Sequence, residues 1–151
     1  MRYLLDANTY IQAKNQYYGM DICPAYWDWL DQQFQQRLVA SVKMIGRELR
    51  DLRTLSPTTT KKPKLFFSSI IQAVMQGDYN QGNRDSFLAK ADPWIIAKAR
   101  VIGAAVVTHE SVLAPNTRKV KVPNICHQFD VPCVNTFQFL RELNARFVLG
   151  N

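Results

Sequence analysis

Short apolar runs recur along the chain, separated by segments long enough to form helices. Tyr3–Leu5 and Ala104–Thr108 have the composition of strands buried on both faces of a sheet, and Arg37–Ser41 is a further strand candidate. Asn124–Cys126 and Arg146–Leu149 are weaker candidates for a fourth and a closing strand. Strands that alternate with helices are typical of an α/β fold with a parallel sheet.

Apolar residues at helical spacing predict the helices between these runs. The predicted helices are Thr9–Tyr18, a segment beginning at Pro24, Val42–Leu52, Leu65–Met75, a segment from Asp92 to Gly103, and Val134–Leu143. Asp92 is expected to cap its helix, with Pro93 in the first turn. Asn135 or Thr136 is expected to cap the last helix.

Three segments have the composition of irregular chain. Thr54–Lys64 contains two prolines, three consecutive threonines and three lysines, and Gly77–Asp85 is rich in Gly, Asn and Asp. Ser111–Pro123 is irregular and basic. Thr54–Lys64 is expected to be a surface excursion inside one domain, because neither flank is long enough to form a domain. The role of the whole stretch 53–90 stays open.

Length and composition predict one domain, 1–151, that can bury a core without disulfides or metal staples: the chain has 151 residues, of which 47% are hydrophobic. No apolar stretch reaches the roughly 18 residues of a membrane-spanning helix. Asp6 interrupts the first apolar run too early for a signal peptide. A cytoplasmic location with no membrane partner is therefore expected by default.

The charge balance is strongly basic, with 19 Lys and Arg against 12 Asp and Glu and a net charge of +7. This favours polyanionic partners, either nucleic acid or an acidic protein, although a solvated basic surface gives the same balance. Three cysteines without a CxxC pair argue against a disulfide framework. Cys126, His127 and Cys133 have poor spacing for zinc, so buried thiols are the preferred interpretation.

Four acids stand where such a fold can bring them together. Asp6 and Glu110 follow predicted strands, Asp92 opens the helix that leads into the second of those strands, and Glu48 lies on the helix after Arg37–Ser41. Open α/β sheets bind ligands beyond the carboxyl ends of their strands. Carboxylates that share a crevice repel each other unless they are protonated or neutralised, and Mg²⁺ or Mn²⁺ suits oxygen ligands.

Three of these acids also have an ordinary structural interpretation. Asp6 can cap the following helix through its side chain, and Asp92 can cap its own helix while a second oxygen faces the crevice. Glu48 can be a surface residue that pairs with Arg47 or Arg50.

The sequence resembles the PIN domain, the fold of the VapC-type toxins of bacterial toxin–antitoxin pairs, and is most similar to an uncharacterised PIN-like branch. The matching motifs, in order, are YLLDANTYI, RLVASVKMIGREL, ADPWIIAKA and AAVVTHE, whereas 52–90 matches weakly. Asp6, Glu48 and Asp92 correspond to family acids. Glu110 stands where the family more often has Asp, in a Thr-x-Asp pattern whose threonine is Thr108.

This resemblance implies a three-layer α/β/α sandwich with a central, mainly parallel sheet, and metal-dependent hydrolysis of RNA by a type II toxin. Asp6, Asp92 and Glu110 would hold Mg²⁺ or Mn²⁺, with Glu48 nearby as a fourth catalytic acid. Asn8 and Thr108 are expected to orient the carboxylates, although ordinary turn roles fit them equally well. The implied partners are RNA, a cognate antitoxin protein and a second copy of the chain.

Basic residues after the Glu110 strand end are the best candidates for phosphate contacts. Arg118, Lys119 and Lys121, called here the basic cluster, would position RNA without distinguishing its sequence. His109 can act as a general acid, but a surface histidine beside a strand end is the preferred interpretation. Two alternatives remain: a catalytically silent PIN-like binding module, and a Rossmann-like nucleotide binder, which lacks G-x-G-x-x-G after the first strand.

Overall fold

A computed structural model of the protein describes residues 2–41, 57–114 and 116–148, apart from the side chains of 57–61. The elements in chain order are β1 (Tyr3–Leu5), α1 (Ala7–Gln12), a π-helical segment (Ala13–Tyr17), α2 (Pro24–Gln35), β2 (Val39–Ser41), α3 (Pro57–Gln76), α4 (Gln81–Ala89), α5 (Asp92–Ile102), β3 (Ala105–Val107), α6 (Val122–Gln128), β4 (Cys133–Val134) and α7 (Thr136–Glu142). The predicted segment Val42–Leu52, which carries Glu48, lies outside the described residues.

The four strands form one parallel sheet in the order β2-β1-β3-β4. Leu5 is paired with Ser41 on one side and with Val107 on the other, so the carboxyl ends of these strands lie level. The α/β class and the parallel sheet are therefore confirmed. The chain first extends the sheet to one side of β1 and then crosses to the other, which makes the β1–β3 boundary the topological switch point.

Helices cover both faces of the sheet, because alternate strand residues point in opposite directions. Leu4 and Val106 belong to a core cluster with Ile70, Ile96 and other residues of α3–α6. The opposite faces of β1 and β3 contribute to a second cluster, built with the π-helical segment, α2 and α7 and centred on Tyr3, Leu5, Tyr26, Leu30, Val107 and Phe139. The arrangement is compatible with a three-layer sandwich. It also explains why β1 is a continuous apolar run.

Two helix boundaries follow local signals. Gly103 ends α5 with φ of 66°, a left-handed conformation that glycine adopts without the steric cost of a Cβ atom. Asn135 caps α7 in a reciprocal capping box with Gln138, as predicted for Asn135. Among the described helices, none is both long and apolar enough to cross a membrane.

Two strand predictions are wrong. Asn124–Cys126 lies inside α6, whose first turn accommodates Pro123, whereas the fourth strand is Cys133–Val134. A strand of two residues is too short to show any periodicity in the sequence. The described part of the predicted closing strand, 146–148, is unpaired chain, and Phe147 packs against the second core cluster.

Two loop predictions are also wrong in part. The described part of Thr54–Lys64 is helical from Pro57 onward, although Pro63 lies inside α3. Proline removes one helical hydrogen bond, but the buried Ile70 and Val74 anchor this helix to the core downstream. α4 begins at Gln81, which confines the loop predicted for Gly77–Asp85 to its first four residues.

Candidate functional site

The candidate site lies beyond the carboxyl ends of β1 and β3. Asp6 follows β1 directly, and its backbone N–H donates to the Val107 carbonyl oxygen at 3.0 Å, which extends the strand pairing by one step. Thr108, His109 and Glu110 follow β3. The topology thus brings two of the predicted acidic segments to the switch point of the sheet, where open α/β sheets bind their ligands.

Asp6 is almost fully buried, with 1% of its surface exposed. Its Oδ1 accepts a hydrogen bond from the Asn8 backbone N–H at 3.2 Å, and its Oδ2 accepts one from the Thr108 hydroxyl at 3.2 Å. Asp6 therefore does cap α1, but that role engages only one of its oxygens. Burial raises the pKa of this carboxyl and the nearby Glu110 adds to the increase, while the two hydrogen bonds oppose it.

Thr108 connects Asp6 to Glu110. Its buried hydroxyl donates to Asp6 and accepts from the Glu110 backbone N–H at 3.2 Å. The Glu110 carboxylate turns the other way, where Oε2 accepts from the Val122 backbone N–H at 2.7 Å and Oε1 lies 3.6 Å from Lys121 Nζ. The bonds of Thr108 fix the strand-end backbone, while Glu110 ties that strand end to the start of α6.

Asp92 reaches the same region from α5, and it is also buried. The predicted N-cap role is wrong, because Ala91 occupies the cap and Asp92 is the first residue of the helix, directly before Pro93. The pKa of Asp92 is raised to about 7, chiefly by burial and then by the charges of Asp6 and Glu110, while Lys90 opposes the increase. The three acids are thus close enough to influence one another electrostatically.

Oxygen-only donors that are partly desolvated suit a hard divalent cation. As the side chains stand, however, no three His, Cys, Asp or Glu residues of the described ranges form a group set to hold a metal ion. The Glu110 carboxylate is engaged with Lys121 and the Val122 amide instead. The donor chemistry fits Mg²⁺ or Mn²⁺, and Glu48, the fourth predicted acid, lies outside the described residues.

A cleft of about 480 Å³ opens beside Glu110, and Asn8, Gln12 and Lys121 help to line it. Asn8 donates to the Asp6 carboxylate through its backbone N–H. This contact does not use the Asn8 side chain. Thr108 has the contact expected of an orienting residue, because its hydroxyl is bonded to Asp6. Of the three acids, Glu110 is the one that lines this cleft, and Asp6 is linked to the Glu110 backbone through Thr108.

The three residues of the basic cluster have different surroundings in the structure. Lys121 is half-buried against Glu110 in the cleft, whereas Arg118 and Lys119 are exposed on the preceding loop. Arg118 Nε lies 4.0 Å from Asp78 Oδ2, an exposed pair that contributes little to stability. The backbone of this loop is held by hydrogen bonds to Asn80 and Asn83. Only Lys121 is placed directly beside a predicted acid.

A ring contact beside the acids has no signal in the sequence. His109 is half-buried; its ring is stacked on Tyr17 with centroids 5.3 Å apart, and its Nε2 lies 2.8 Å from the Thr136 hydroxyl. Burial lowers the pKa of His109, with a smaller opposing effect from Asp6. Phe137 meets Tyr17 edge-on at 6.1 Å. These three rings come from segments far apart in the sequence, so only the fold brings them together.

Two thiols, Cys126 and Cys133, contact each other near a cleft beside Glu110. A hydrogen bond between Cys126 and Cys133 raises the pKa of the buried Cys126, and burial raises it further. His127, by contrast, is exposed on α6. The preferred interpretation of a buried thiol thus holds for Cys126, while Cys133 is half-buried and lines that cleft.

Fold and site together define an α/β domain with a parallel sheet, helices on both faces and a buried acidic crevice at the topological switch point. The chain belongs to the family described as a domain of unknown function (DUF4411), whose model matches residues 3–147. No curated protein and no solved structure matches the chain significantly.

Proposed function

We propose that this protein is a PIN-like, metal-dependent endoribonuclease that hydrolyses RNA phosphodiester bonds in the cytoplasm as the toxin of a type II toxin–antitoxin pair. The observation that carries the proposal is that Thr108 joins Asp6 to the Glu110 backbone at the carboxyl ends of β1 and β3, with the buried Asp92 near enough for the charges to interact. The charges of Asp6 and Glu110 raise the pKa of Asp92, and the charge of Glu110 raises that of Asp6.

The electrostatics of the crevice supply the reason for a cation. Asp6 and Asp92 are 1% and 6% exposed, and burial is the main cause of the raised pKa of each. A protein that places several of its few carboxylates together must leave them partly protonated or neutralise them. A bound Mg²⁺ or Mn²⁺ ion would lower the pKa of a coordinated water and offset negative charge on a phosphate.

Residues of the chain would orient this site. The Thr108 hydroxyl and the Asn8 backbone N–H donate to the two Asp6 oxygens, so the carboxylate has a fixed direction before any ligand binds. Lys121 lies in the open cleft beside Glu110, where its ammonium can also meet a phosphate oxygen. Arg118 and Lys119 extend the positive charge outward along the loop.

A cleavage assay tests the proposal. Purified protein is incubated with transfer RNA and messenger RNA, with Mn²⁺ or with a chelator, and Asp6→Asn is assayed beside it. We expect cleavage that requires Mn²⁺ and that is lost in Asp6→Asn, because asparagine keeps hydrogen-bonding groups at that position but lacks the charge. Asp31→Asn, at an exposed position on α2, is the matched control and should cleave like the parent.

A second candidate is a catalytically silent module that binds RNA or a partner protein. The observation that favours it is the engagement of the Glu110 carboxylate by Lys121 and the Val122 amide, which neutralises this acid without a metal. Binding of RNA without Mn²⁺-dependent cleavage would support this candidate. The antitoxin partner and the homodimer likewise belong to the proposal, and co-purification and light scattering test them.

A further inference from the structure

A second cleft adjoins the acidic crevice on the α7 side. Its volume is about 380 Å³, and it shares His109, Glu110 and Ser111 with the cleft that contains Lys121. Tyr17 and Phe137 line its aromatic side. The wall between the two clefts is therefore the chain segment that directly follows β3.

Three rings form what we call the aromatic platform: Tyr17, His109 and Phe137. Tyr17 and Phe137 are 49% and 44% exposed, although the two rings contact each other. The Tyr17 and His109 rings are nearly parallel, at 16°, whereas Phe137 stands edge-on to Tyr17 at 81°. The platform thus presents ring surface to solvent at the entrance of a cleft.

Two rings of the platform lie on segments that adjoin the acidic site. Tyr17 ends the π-helical segment that follows α1, the helix capped by Asp6. His109 follows Thr108, and the contact of its Nε2 with the Thr136 hydroxyl fixes its ring against the start of α7. π-helical turns are often found at functional sites. Tyr17 and His109 therefore lie on the two segments that also carry Asp6 and its partner Thr108.

We infer that the aromatic platform stacks a base of single-stranded RNA beside the acidic crevice. This inference rests on the proposed function, which makes RNA the substrate. It adds a binding site for an RNA base, a part of the substrate that the acids do not contact. Aromatic rings bind bases of any sequence through their π faces, while cationic side chains follow the phosphates. Here the rings adjoin a cleft that contains Lys121, on a chain with net charge +7.

Charge complementarity favours RNA over a protein segment as the occupant. A strand placed with a base on Tyr17 would bring its backbone toward Glu110 and Lys121, where phosphates meet the ammonium and any bound cation. An acidic peptide would satisfy the ammonium but would have no particular need of stacked rings. The two occupants are separated by testing whether binding depends on bases.

Fluorescence anisotropy with labelled strands tests this directly. The probes are a short oligoadenylate and an abasic strand of equal length, at low salt in a chelator so that cleavage does not interfere. The parent should bind the oligoadenylate more tightly than the abasic strand. Tyr17→Ala should weaken oligoadenylate binding roughly five- to a hundred-fold, the range expected for loss of one stacked base, and leave the abasic strand nearly unchanged.

Two further variants keep the test decisive. Tyr17→Phe retains the ring and should bind like the parent. Tyr10→Ala removes a tyrosine that is 39% exposed but packs on Trp27, and it should not change the preference for bases. Equal binding of the two strands by the parent, or an equal loss of both in Tyr17→Ala, would overturn the inference in favour of a protein occupant or simple charge attraction.

The outcome is independent of catalysis. Tyr17-dependent preference for bases without any cleavage of RNA would support the platform and contradict the nuclease proposal. Cleavage of RNA together with equal binding of the oligoadenylate and the abasic strand would support the nuclease proposal and contradict the platform.

Discussion

Replacing Asp92 by asparagine should change how stability depends on pH, because this buried carboxyl titrates far from its ordinary range. Its pKa is raised from 3.8 to about 7 by burial and by the charges of Asp6 and Glu110. Between these values the folded protein binds more protons at this site than the unfolded chain does. The contribution of Asp92 to the free energy of unfolding is therefore present at acidic pH and is lost as the pH rises from about 4 to above 7.

The size of the effect follows from the difference between the two pKa values. A rise from 3.8 to about 7 corresponds to an upper limit of about 4 kcal/mol at about 1.4 kcal/mol per pKa unit. Relaxation and water entry reduce this limit, so we expect the parent to lose about 1–3 kcal/mol from this site between pH 5 and pH 8. Asp92→Asn has no proton to release and should not show this loss.

Urea unfolding of the parent and Asp92→Asn at pH 5 and pH 8, in a chelator, measures the difference. The stability of the variant relative to the parent should rise by about 1–3 kcal/mol from the lower to the higher pH. Asp31→Asn, the exposed control on α2, should show no such change. A constant difference between parent and Asp92→Asn at both pH values would refute the assignment of Asp92 to a crowded acidic crevice.

Three further predictions concern the surroundings of the acids. Thr108→Val should lower the free energy of unfolding by about 1–3 kcal/mol in urea titrations, because it removes the hydroxyl bonded to Asp6 and to the Glu110 amide; an unchanged stability would contradict this. Combined substitution of the basic cluster by Ala should reduce the slope of log affinity for single-stranded RNA against log salt by up to about 2, since each phosphate contact contributes about 0.7, and an unchanged slope would exclude the cluster. Asn135→Ala should cost about 1 kcal/mol of stability through loss of the capping box, and thermal unfolding with no shift would argue against that cap.

The central strands of the fold can be predicted because their burial dictates the local sequence. A strand buried on both faces must be a continuous apolar run, so β1 and β3 can be recognised, and a polar residue directly after such a run lies at the sheet edge. Asp6 and Glu110 were predicted at strand ends for this reason, and both are found there. The two-residue β4 carries no comparable pattern, and its position depends on pairing with β3.

The rest depends on contacts that no local pattern encodes. α3 begins in a Pro- and Thr-rich stretch because its downstream half is anchored in the core, a tertiary effect that overrides the local composition. The aromatic platform joins Tyr17, His109 and Phe137 from three distant segments of the chain, and Tyr17 is the last residue of the π-helical segment. The sequence predicts that a helix begins near Asp92. The burial of Asp92 close to other acids, however, depends on the packing of α5 on the sheet.

The most direct test of the acidic crevice as a cation site is thermal unfolding of the parent and Asp6→Asn during a Mn²⁺ titration near neutral pH. A ligand that binds only the folded state stabilises it by mass action, by about 2.7 kcal/mol at a hundred times its Kd. For a domain of this size that corresponds to an increase in Tm of about 5–10 °C. We predict this increase for the parent and its loss in Asp6→Asn; a flat titration of the parent, or equal increases in both proteins, would contradict the account.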